Sequence, residues 1–228
     1  MPEFPLPVGT ARHQVWLYAS PDDRPRLAAL FELEQQIMAG GRPGLDHAVA
    51  HARLAWWQEE CERLNAGLPR HPQAIALLHF TRRAAGAPPD LTSLVDAARA
   101  DLANAVPENR ADLTRRCRDW AHGLFRHLAP GAVQALPGAT DLPAWLEATG
   151  RSVEELALIA QVGRDAARGR LRVPLDELDA LGVDPRDLAS AHFPGPLGAH
   201  LGARHRELRT DLAQRVLELD GALRPALR

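Results

Sequence analysis

The chain has 228 residues, 46% of them hydrophobic, and a formal net charge of -2. That hydrophobic fraction is enough for a packed core, and the nearly balanced charge excludes a general nucleic-acid binder, which would carry a basic excess. Aromatic residues make up only 5%, so the core must consist mainly of Leu, Ala and Val. Because Leu and Ala are strong helix formers, an all-α fold is favoured.

The expected compartment follows from features that the sequence lacks. Its first residues do not have the charged and apolar regions of a signal peptide, and no apolar run approaches the roughly 18 residues that a membrane span needs. Cys61 and Cys117 fall in helical patterns and are expected to be core residues rather than a disulfide pair. We therefore expect a cytoplasmic protein, with peripheral membrane contact left open.

Helical periodicity, with Pro and Gly as breakers, divides the chain into successive helices. In the first half these run from Asp22 or Asp23 to Ala39, from about Leu45 to Ala66, from His71-Pro72 to about Ala85 and from Asp90 to about Asn104. In the second half they begin at Pro107, near Trp145, at the capping box Ser152/Glu155 and near Pro196, and Leu175–Leu181 is predicted to form one or two helical turns. No segment alternates with period two, so no sheet is predicted. We expect an N-terminal segment, residues 1–20, and a single helical domain, residues 21–222.

Apolar stripes predict which side chains are buried. On the helix from Leu45, one stripe is Leu45, Val49, Ala52 and Trp56, and a second beside it is Trp57, Cys61 and Leu64. The helix from Pro107 carries Leu113, Cys117, Trp120, Leu124 and Leu128 at helical spacing. Because steps of three and four residues lie on one helix face, we expect Trp56, Trp57, Cys117 and Trp120 to be buried at helix–helix contacts.

Three segments together carry a family resemblance. The first is Arg53–Glu60, which reads RLAWWQEE, followed by His71-Pro72 and Ala76-Leu77. The second is Asp165–Pro174, which reads DAARGRLRVP, followed by Leu178 and Gly182-Val183. A weaker third segment begins at Trp16 and ends at Phe31. In order and spacing these segments resemble the squalene/phytoene synthase family, the head-to-head prenyltransferases.

The resemblance implies an isoprenoid-synthase fold, which is an all-α single-domain bundle of helices around a central cavity. In active members, two carboxylate-rich motifs face each other across that cavity, and the reaction condenses two prenyl diphosphates. Ionising a diphosphate leaves a highly charged anion, which magnesium neutralises, and magnesium prefers hard oxygen ligands. The resemblance therefore implies a prenyl diphosphate as the ligand, with magnesium as a cofactor only if the chain is catalytically active.

The second carboxylate motif is depleted in this chain. The family has Asn, Asp and Asp at four-residue steps, where this sequence reads Ala157, Gln161 and Asp165. Residues four apart share a helix face and can reach one metal cluster, but here a single carboxylate is left. Asp165 is thus a remnant metal ligand, and the positive charge of Arg164 beside it opposes cation binding.

The first carboxylate motif is missing. It should fall near Met38–Arg42, which reads Met-Ala-Gly-Gly-Arg, and the nearest acids, Glu32 and Glu34, are a turn or more away. Asp22-Asp23 precedes the helix and is better explained as its cap. The last helix ends near Leu219, where active relatives typically continue with further helix that keeps water out of the cavity. These departures indicate a shortened, degenerate member without catalytic residues.

Arginines surround the remnant carboxylate. Arg164, Arg168 and Arg170, with Arg172 beyond them, lie within a few residues of Asp165. Arginine forks bind diphosphate well without metal, so we predict that Arg164, Arg168 and Arg170 are diphosphate-binding residues. The same charges would also complement the dipole at the C-terminal end of a helix, and both interpretations stay open.

A histidine pair is the other candidate site. His47 and His51 have the spacing of two zinc ligands on one helix face, but no third ligand follows at a strong spacing. A solvated or partly packed pair is therefore favoured.

Three hypotheses for the function stay open. The chain is a non-catalytic binding or assembly factor, by analogy with the mitochondrial complex I assembly factor, which has the family fold with eroded carboxylates. Alternatively, it is an active prenyltransferase with altered ligands, or an accessory subunit that pairs with an intact synthase. The missing carboxylates favour the first hypothesis. The expected partners are a prenyl diphosphate and a protein, either an intact synthase or a membrane complex.

Overall fold

In the computed structural model, the structure describes residues 10–41, 46–83, 86–128, 143–190 and 192–223. All regular elements in these ranges are helices, and none of the described residues lies in a strand. The predicted all-α class is therefore confirmed. The chain divides into two compact units, Met1–Ala103 with Gly123–Ala139 and Asn104–His122 with Thr140–Arg228. The division into residues 1–20 and 21–222 stays a prediction.

The first unit is built around its second helix. Its helices are α1 (Ala11–Tyr18), α2 (Arg24–Ala39), α3 (His47–Asn65), α4 (Pro72–Arg83) and α5 (Thr92–Leu102). Helix α2 packs against α1, α4 and α5, while α3 packs against α4 and α5. Leu27, Leu30 and Ile37 recur at near-helical spacing on α2 and are at most 2% exposed. Because neighbours cover α2 on several sides, it forms the core of this unit.

The second unit contains a separate hydrophobic cluster. Helix α6 (Arg110–Leu128) begins in this unit, and its last turns belong to the first. The other helices of the second unit are α7 (Ala144–Ala166), α8 (Leu175–Leu181), a 3₁₀ helix (Pro185–Ala189) and α9 (Gly195–Leu223). Helix α7 packs against α9 and the 3₁₀ helix. The cluster consists of Val173, Leu178, Val183, Leu188, Leu197 and Leu201, with Ile159 and Val162 of α7 packed against it.

Helix α7 is continuous where the sequence predicts two helices. Ser152 and Glu155 lie in its interior, so the predicted capping box is wrong. Glu155 is 2% exposed and turns its carboxylate to Arg110 instead of to a backbone N–H. Ser152 is 1% exposed, and its hydroxyl has no hydrogen-bond partner among the described residues. Packing of this stretch in the unit interior therefore overrides the local capping signal.

Helix α6 begins later than the sequence predicts. Pro107 is not its first residue, since α6 starts at Arg110. The Pro107 carbonyl instead accepts a hydrogen bond from the Leu175 N–H at 3.0 Å, and the Glu108 carbonyl accepts from Asp176 at 3.1 Å. The first N–H groups of a helix lack partners within it, so this segment supplies acceptors to the start of α8.

Burial confirms one apolar stripe of α3 and contradicts the other. Trp57 of α3 is 4% exposed, as predicted. On α6, Cys117 is fully buried and Trp120 is 6% exposed, also as predicted. Trp56 is 42% exposed and Val49 is 58% exposed, so the expected burial of Trp56 is wrong. The helices packed against α3 cover only the stripe of Trp57, Cys61 and Leu64. The other stripe, with Val49, Ala52 and Trp56, faces solvent. Leu45, the start of the first stripe, lies outside the described residues.

None of the helices among the described residues is both long and apolar enough to cross a bilayer.

Candidate functional site

The first family-like segment joins α3 to α4. The ring centroid of Trp57 lies 5.1 Å from that of His71, just before α4. Glu60, three residues after Trp57, is 1% exposed and accepts hydrogen bonds from the backbone N–H groups of Arg70 and His71, both at 2.7 Å. Backbone donors at the entrance of a helix need acceptors from outside it. Glu60 therefore holds the turn that leads into α4.

Glu60 is a buried carboxylate whose charge is compensated. Burial raises the pKa of Glu60. The backbone N–H groups of His71 and Arg70 lower it, as does Arg63, whose Nε lies 2.9 Å from the carboxylate. The donors outweigh burial, so the pKa of Glu60 lies below its ordinary value. Glu60 therefore stays ionised at neutral pH. The buried carboxylate of this segment is satisfied inside the fold, which gives Glu60 a structural role.

The position of the family's first carboxylate motif is filled by packed glycines. Gly40 and Gly41 are buried at the end of α2. A Cβ atom on Gly40 would lie 2.8 Å from Leu54 Cδ2, and one on Gly41 would lie 2.4 Å from the backbone oxygen of Ala98. Because a backbone clash cannot be relieved by rotating a side chain, no carboxylate fits at Gly41. Arg42, which ends the expected motif, lies outside the described residues.

Two acids that could replace the missing motif, Glu34 on α2 and Asp23 at the start of α2, are already paired. Glu34 is 2% exposed and binds the Arg12 guanidinium through both oxygens, with 2.7 Å between Oε2 and Nε. Asp23 is the N-cap residue of α2, as predicted, but its side chain makes no cap hydrogen bond. It accepts from Arg26 Nη2 at 2.9 Å instead, because Arg26 is 3% exposed and a buried guanidinium needs an anion.

The second family-like segment forms the turn after α7. Gly169 has φ 75°, a conformation that favours glycine, and Asn104 Nδ2 donates to its carbonyl at 3.1 Å. The Arg170 N–H donates to the Asp165 carbonyl at 2.9 Å. The Asp165 carboxylate accepts from Arg172 Nε at 3.2 Å, and the two side chains are only 14% and 9% exposed. The remnant carboxylate is therefore part of an ion pair that shapes the turn.

The predicted diphosphate-binding arginines flank this turn. Arg164 and Arg168 are exposed, and Arg170 is half-buried. Within the described ranges, neither Arg164 nor Arg168 lies within ion-pair distance of a carboxylate. Both residues lie at the C-terminal end of α7, where the helix dipole attracts positive charge. The turn thus combines one neutralised carboxylate with guanidinium groups that face solvent.

Comparison with known proteins identifies the family. The squalene/phytoene synthase family model matches residues 9–228. This chain belongs to the squalene/phytoene synthase family. The resemblance that the three sequence segments carry together is therefore confirmed.

Two relatives place this squalene/phytoene synthase family member more closely. The bifunctional protein CrtB/UppS of Streptomyces coelicolor is 31% identical to it over 168 residues, which are 72% of this chain and 29% of that protein. The chain thus spans less than a third of the length of that relative. A dehydrosqualene synthase, solved as a crystal structure with a ligand, matches with a TM-score of 0.73 at 16% identity, over 93% of this chain and 72% of the other. At this identity the likeness shows the fold, which confirms the isoprenoid-synthase type.

The family implies magnesium, and the donor set of this member does not fit that ion. Of the three positions expected on α7, Ala157 and Gln161 have no carboxylate, and the carboxylate of Asp165 is bound to Arg172. No three His, Cys, Asp or Glu side chains among the residues that the structure describes are grouped to hold a metal ion. Magnesium takes several hard oxygen ligands, usually from carboxylates and phosphates. One carboxylate already held by a guanidinium does not provide them.

Sequence analysis missed a charge network in the second unit. Glu155 of α7 binds Arg110 through both oxygens, with 2.8 Å at Oε2. Arg204 of α9 lies 3.6 Å from Glu155 and donates to Glu177 of α8 at 2.9 Å, and His200 Nε2 lies 3.0 Å from Glu177. The network links four helices, and its members lie far apart in sequence. No short motif could have indicated it, and the spacing of Ser152 and Glu155 pointed to a cap instead.

A narrow cleft lies beside this network. It is lined by Leu113, Glu155, Leu158, Ile159, Val162, Arg172, Val173, Pro174, Leu201 and Arg204. Its free space is about 10 Å³, which is room for about one water molecule. A prenyl chain does not fit into this volume, so the cleft belongs to the packed interior of the second unit.

The cysteines and the histidine pair add no reactive group. Burial raises the pKa of Cys61 to about 12 and also raises the pKa of Cys117, so both thiols stay protonated at neutral pH. His47 and His51 are exposed, with ring centroids 6.2 Å apart. This exposure agrees with the prediction of a solvated pair.

Proposed function

We propose that this protein is a non-catalytic member of its family, which binds a prenyl diphosphate through Arg164, Arg168 and Arg170 without a metal ion. The observation that carries the proposal is the charge distribution at the turn after α7. The Asp165 carboxylate is engaged by Arg172, whereas Arg164 and Arg168 have no carboxylate partner among the described residues. Net positive charge is therefore left for an anion at this turn.

Guanidinium groups suit a diphosphate in the absence of metal. Each presents a planar fork of N–H donors that matches two phosphate oxygens. The C-terminal end of α7 carries the negative end of the helix dipole, which works against an anion. Exposed charges are also screened by salt. We therefore expect weak binding that declines as the salt concentration rises.

Catalysis demands more than binding. Two substrates bring two diphosphates together, and ionisation concentrates negative charge on the leaving group. Holding both substrates in register can supply roughly 7–11 kcal/mol of a barrier. Asp165 is the only carboxylate at the two family motif positions, and the close approach of Ala98 at Gly41 leaves no room for another there. We therefore expect neither squalene nor phytoene from this chain alone.

Calorimetric titration with farnesyl and geranylgeranyl diphosphate, followed by product analysis, tests the proposal. The expected result is weak, saturable binding that persists when magnesium is chelated, with no head-to-head product. Arg168→Ala/Arg170→Ala should abolish this binding. The matched control Arg206→Ala/Arg209→Ala removes two exposed arginines of α9 and should bind like the wild type.

Other outcomes would point to the other hypotheses. Head-to-head product from the wild-type chain with magnesium would contradict the proposal and favour an active prenyltransferase. Product that requires an added intact synthase, and that forms faster than with that synthase alone, would favour an accessory subunit. Gln161→Asp restores one family carboxylate, but we expect no product, because the first motif has no acid. A saturable magnesium effect that is lost in Asp165→Ala would make Asp165 a metal ligand.

A further inference from the structure

The exposed side of α4 combines basic and apolar side chains. Leu68 and Arg70 lie in the turn before α4, and the other members recur along the helix at steps of three or four residues, which place them on one side. An open hollow of about 430 Å³ lies along this side. We name this surface the α4 face, and it consists of Leu68, Arg70, Ile75, His79, Arg82 and Arg83.

Large apolar side chains on and beside the α4 face are exposed to solvent. Leu68 is 73% exposed in a tight turn that Gly67 opens with φ 77°. Ile75 is 49% exposed, one turn into α4. Trp56, 42% exposed, extends the apolar area, since its ring centroid lies 6.0 Å from that of His71 at the start of α4. Large apolar side chains exposed in this number around the start of one helix indicate a binding surface.

The α4 face also carries unpaired positive charge. Arg70, Arg82 and Arg83 are exposed, and none of them has a carboxylate within ion-pair distance among the described residues. Arg12, Arg26, Arg63 and Arg99 of the first unit do bind carboxylates, whereas Arg53, outside this face, is exposed. The net charge of the whole chain is -2, so this face is a local positive region on a slightly acidic protein. Its charge is complementary to an anionic partner.

We propose that the α4 face docks on the surface of a bilayer that contains anionic phospholipid. Leu68 and Ile75 would enter the boundary between headgroups and acyl chains, where apolar side chains gain by burial. Arg82 and Arg83 would stay at the level of the phosphates, since long basic side chains bury their stems and keep their charge in water. Trp56 would lie at the same level, which is the preferred depth of tryptophan.

A membrane explains these features better than an acidic protein does. Leu68 is 73% exposed two residues before Arg70, and an exposed apolar side chain needs no matching pocket in order to enter a bilayer. Anionic lipids attract each basic residue near their surface without any fixed geometry, which suits arginines that have no carboxylate partner among the described residues. Arg82 Nη2 donates to the Gly67 carbonyl at 3.4 Å, which leaves its positive charge uncompensated. This inference does not depend on diphosphate binding, because it rests on residues of the first unit alone.

Vesicle co-sedimentation of the full chain tests the proposal. Vesicles of phosphatidylcholine mixed with phosphatidylglycerol should bind the wild type, vesicles of phosphatidylcholine alone should bind it far less, and added salt should release it. Arg82→Gln/Arg83→Gln should weaken the partition by about fivefold for each arginine, or about 25-fold in all. Leu68→Ser/Ile75→Ser should weaken it as well, with the salt dependence retained. The matched control Arg206→Gln/Arg209→Gln removes the same charge from α9 and should bind like the wild type.

Three results would overturn the proposal. The first is a wild-type chain that ignores anionic vesicles, and the second is an Arg82→Gln/Arg83→Gln variant that binds them as well as the control variant does. The third is binding to soluble polyglutamate through this face without binding to vesicles, which would assign the face to an acidic protein. Far-ultraviolet circular dichroism and thermal melting of each variant ensure that a loss of binding does not reflect unfolding.

Discussion

The two family-like segments of this protein use their charges in opposite ways. Around Glu60, two backbone N–H groups converge on a carboxylate that is 1% exposed. Around Asp165, the guanidinium of Arg172 meets the carboxylate, while Arg164 and Arg168 stay exposed without a carboxylate partner in the described ranges. The buried carboxylate of the first segment stabilises the fold, whereas two guanidinium groups at the second segment face solvent.

This difference separates scaffold from candidate site within one family signature. A buried polar group that is fully hydrogen-bonded stabilises a structure but offers nothing to a ligand. An exposed guanidinium without a partner contributes little to stability and can bind an anion at low cost. Substitutions in the first segment should therefore change the free energy of unfolding, and substitutions in the second should mainly change binding.

The largest expected effect comes from the tryptophan pair of the first segment. Trp57→Ala should lower the free energy of unfolding by about 3–5 kcal/mol, because it removes a large buried side chain and leaves a cavity. Trp56→Ala should cost about 1 kcal/mol, mainly for the lost ring contact with Trp57, whose centroid is 4.9 Å away. Urea unfolding of both variants measures the difference. Equal losses would mean that α3 buries both rings in solution.

Glu60→Gln should have the next largest effect. The variant keeps an acceptor oxygen but loses the negative charge that three donors share, at a cost of about 2 kcal/mol at neutral pH. The loss should depend on pH. Since the folded-state pKa of Glu60 lies below its ordinary value, its contribution is complete above that ordinary value and disappears as the pH falls through the folded-state pKa.

The pH series for Glu60→Gln has a matched control in the same helix. Glu59 is 67% exposed and lies 3.4 Å from Arg63, so Glu59→Gln should change stability by only a few tenths of a kcal/mol. The gap in unfolding free energy between wild type and Glu60→Gln should narrow as the pH falls below the ordinary pKa of a glutamate, and the gap between wild type and Glu59→Gln should stay small throughout. A Glu60→Gln gap that does not change with pH would refute the depressed pKa.

The positions of the helices could be predicted from the sequence better than their buried faces or their polar contacts. Helix α8 was predicted with its full bounds, because Pro174 and Gly182 mark both ends locally. The burial of Trp56 was mispredicted, because periodicity identifies apolar stripes but does not indicate which of them a neighbouring helix covers. Glu155 was misassigned for a related reason, since its partner Arg110 is 45 residues away and a local cap was the nearest explanation.

The candidate site was partly predictable for the same physical reasons. Sequence alone placed Arg164 and Arg168 beside Asp165, because all three lie within one turn or two of the same helix end. The ion pair of Asp165 with Arg172 could not be read from spacing, since it depends on the turn that Gly169 allows with φ 75°. Missing carboxylates are visible in a sequence, whereas the engagement of the remaining one is visible only in the structure.

A smaller effect is expected from the second segment. Asp165→Asn should lower the free energy of unfolding by about 1.5 kcal/mol, because it removes the charge of the carboxylate that accepts from Arg172. Metal-free binding of farnesyl diphosphate should be at least as strong as in the wild type, since a negative charge near Arg164 and Arg168 is removed. Asp179→Asn, at an exposed position of α8, is the control. Loss of diphosphate binding in Asp165→Asn would instead indicate a metal bridge through this carboxylate.

The smallest effect distinguishes a continuous α7 from two helices with a cap at Ser152, because the two predict opposite changes in the free energy of unfolding for Ser152→Ala. Ser152 is 1% exposed, and its hydroxyl has no partner among the described residues, so Ser152→Ala removes an unsatisfied buried group and adds a better helix former. We expect a gain of about 1 kcal/mol in the free energy of unfolding. If Ser152 capped a separate helix, the same change would cost about 1 kcal/mol. Thr149→Ala is the control one turn earlier, since Thr149 Oγ1 already donates to the Trp145 carbonyl at 2.7 Å and its removal should bring no gain. A loss of stability in Ser152→Ala would therefore indicate that a separate helix begins at Ser152 with the predicted capping box.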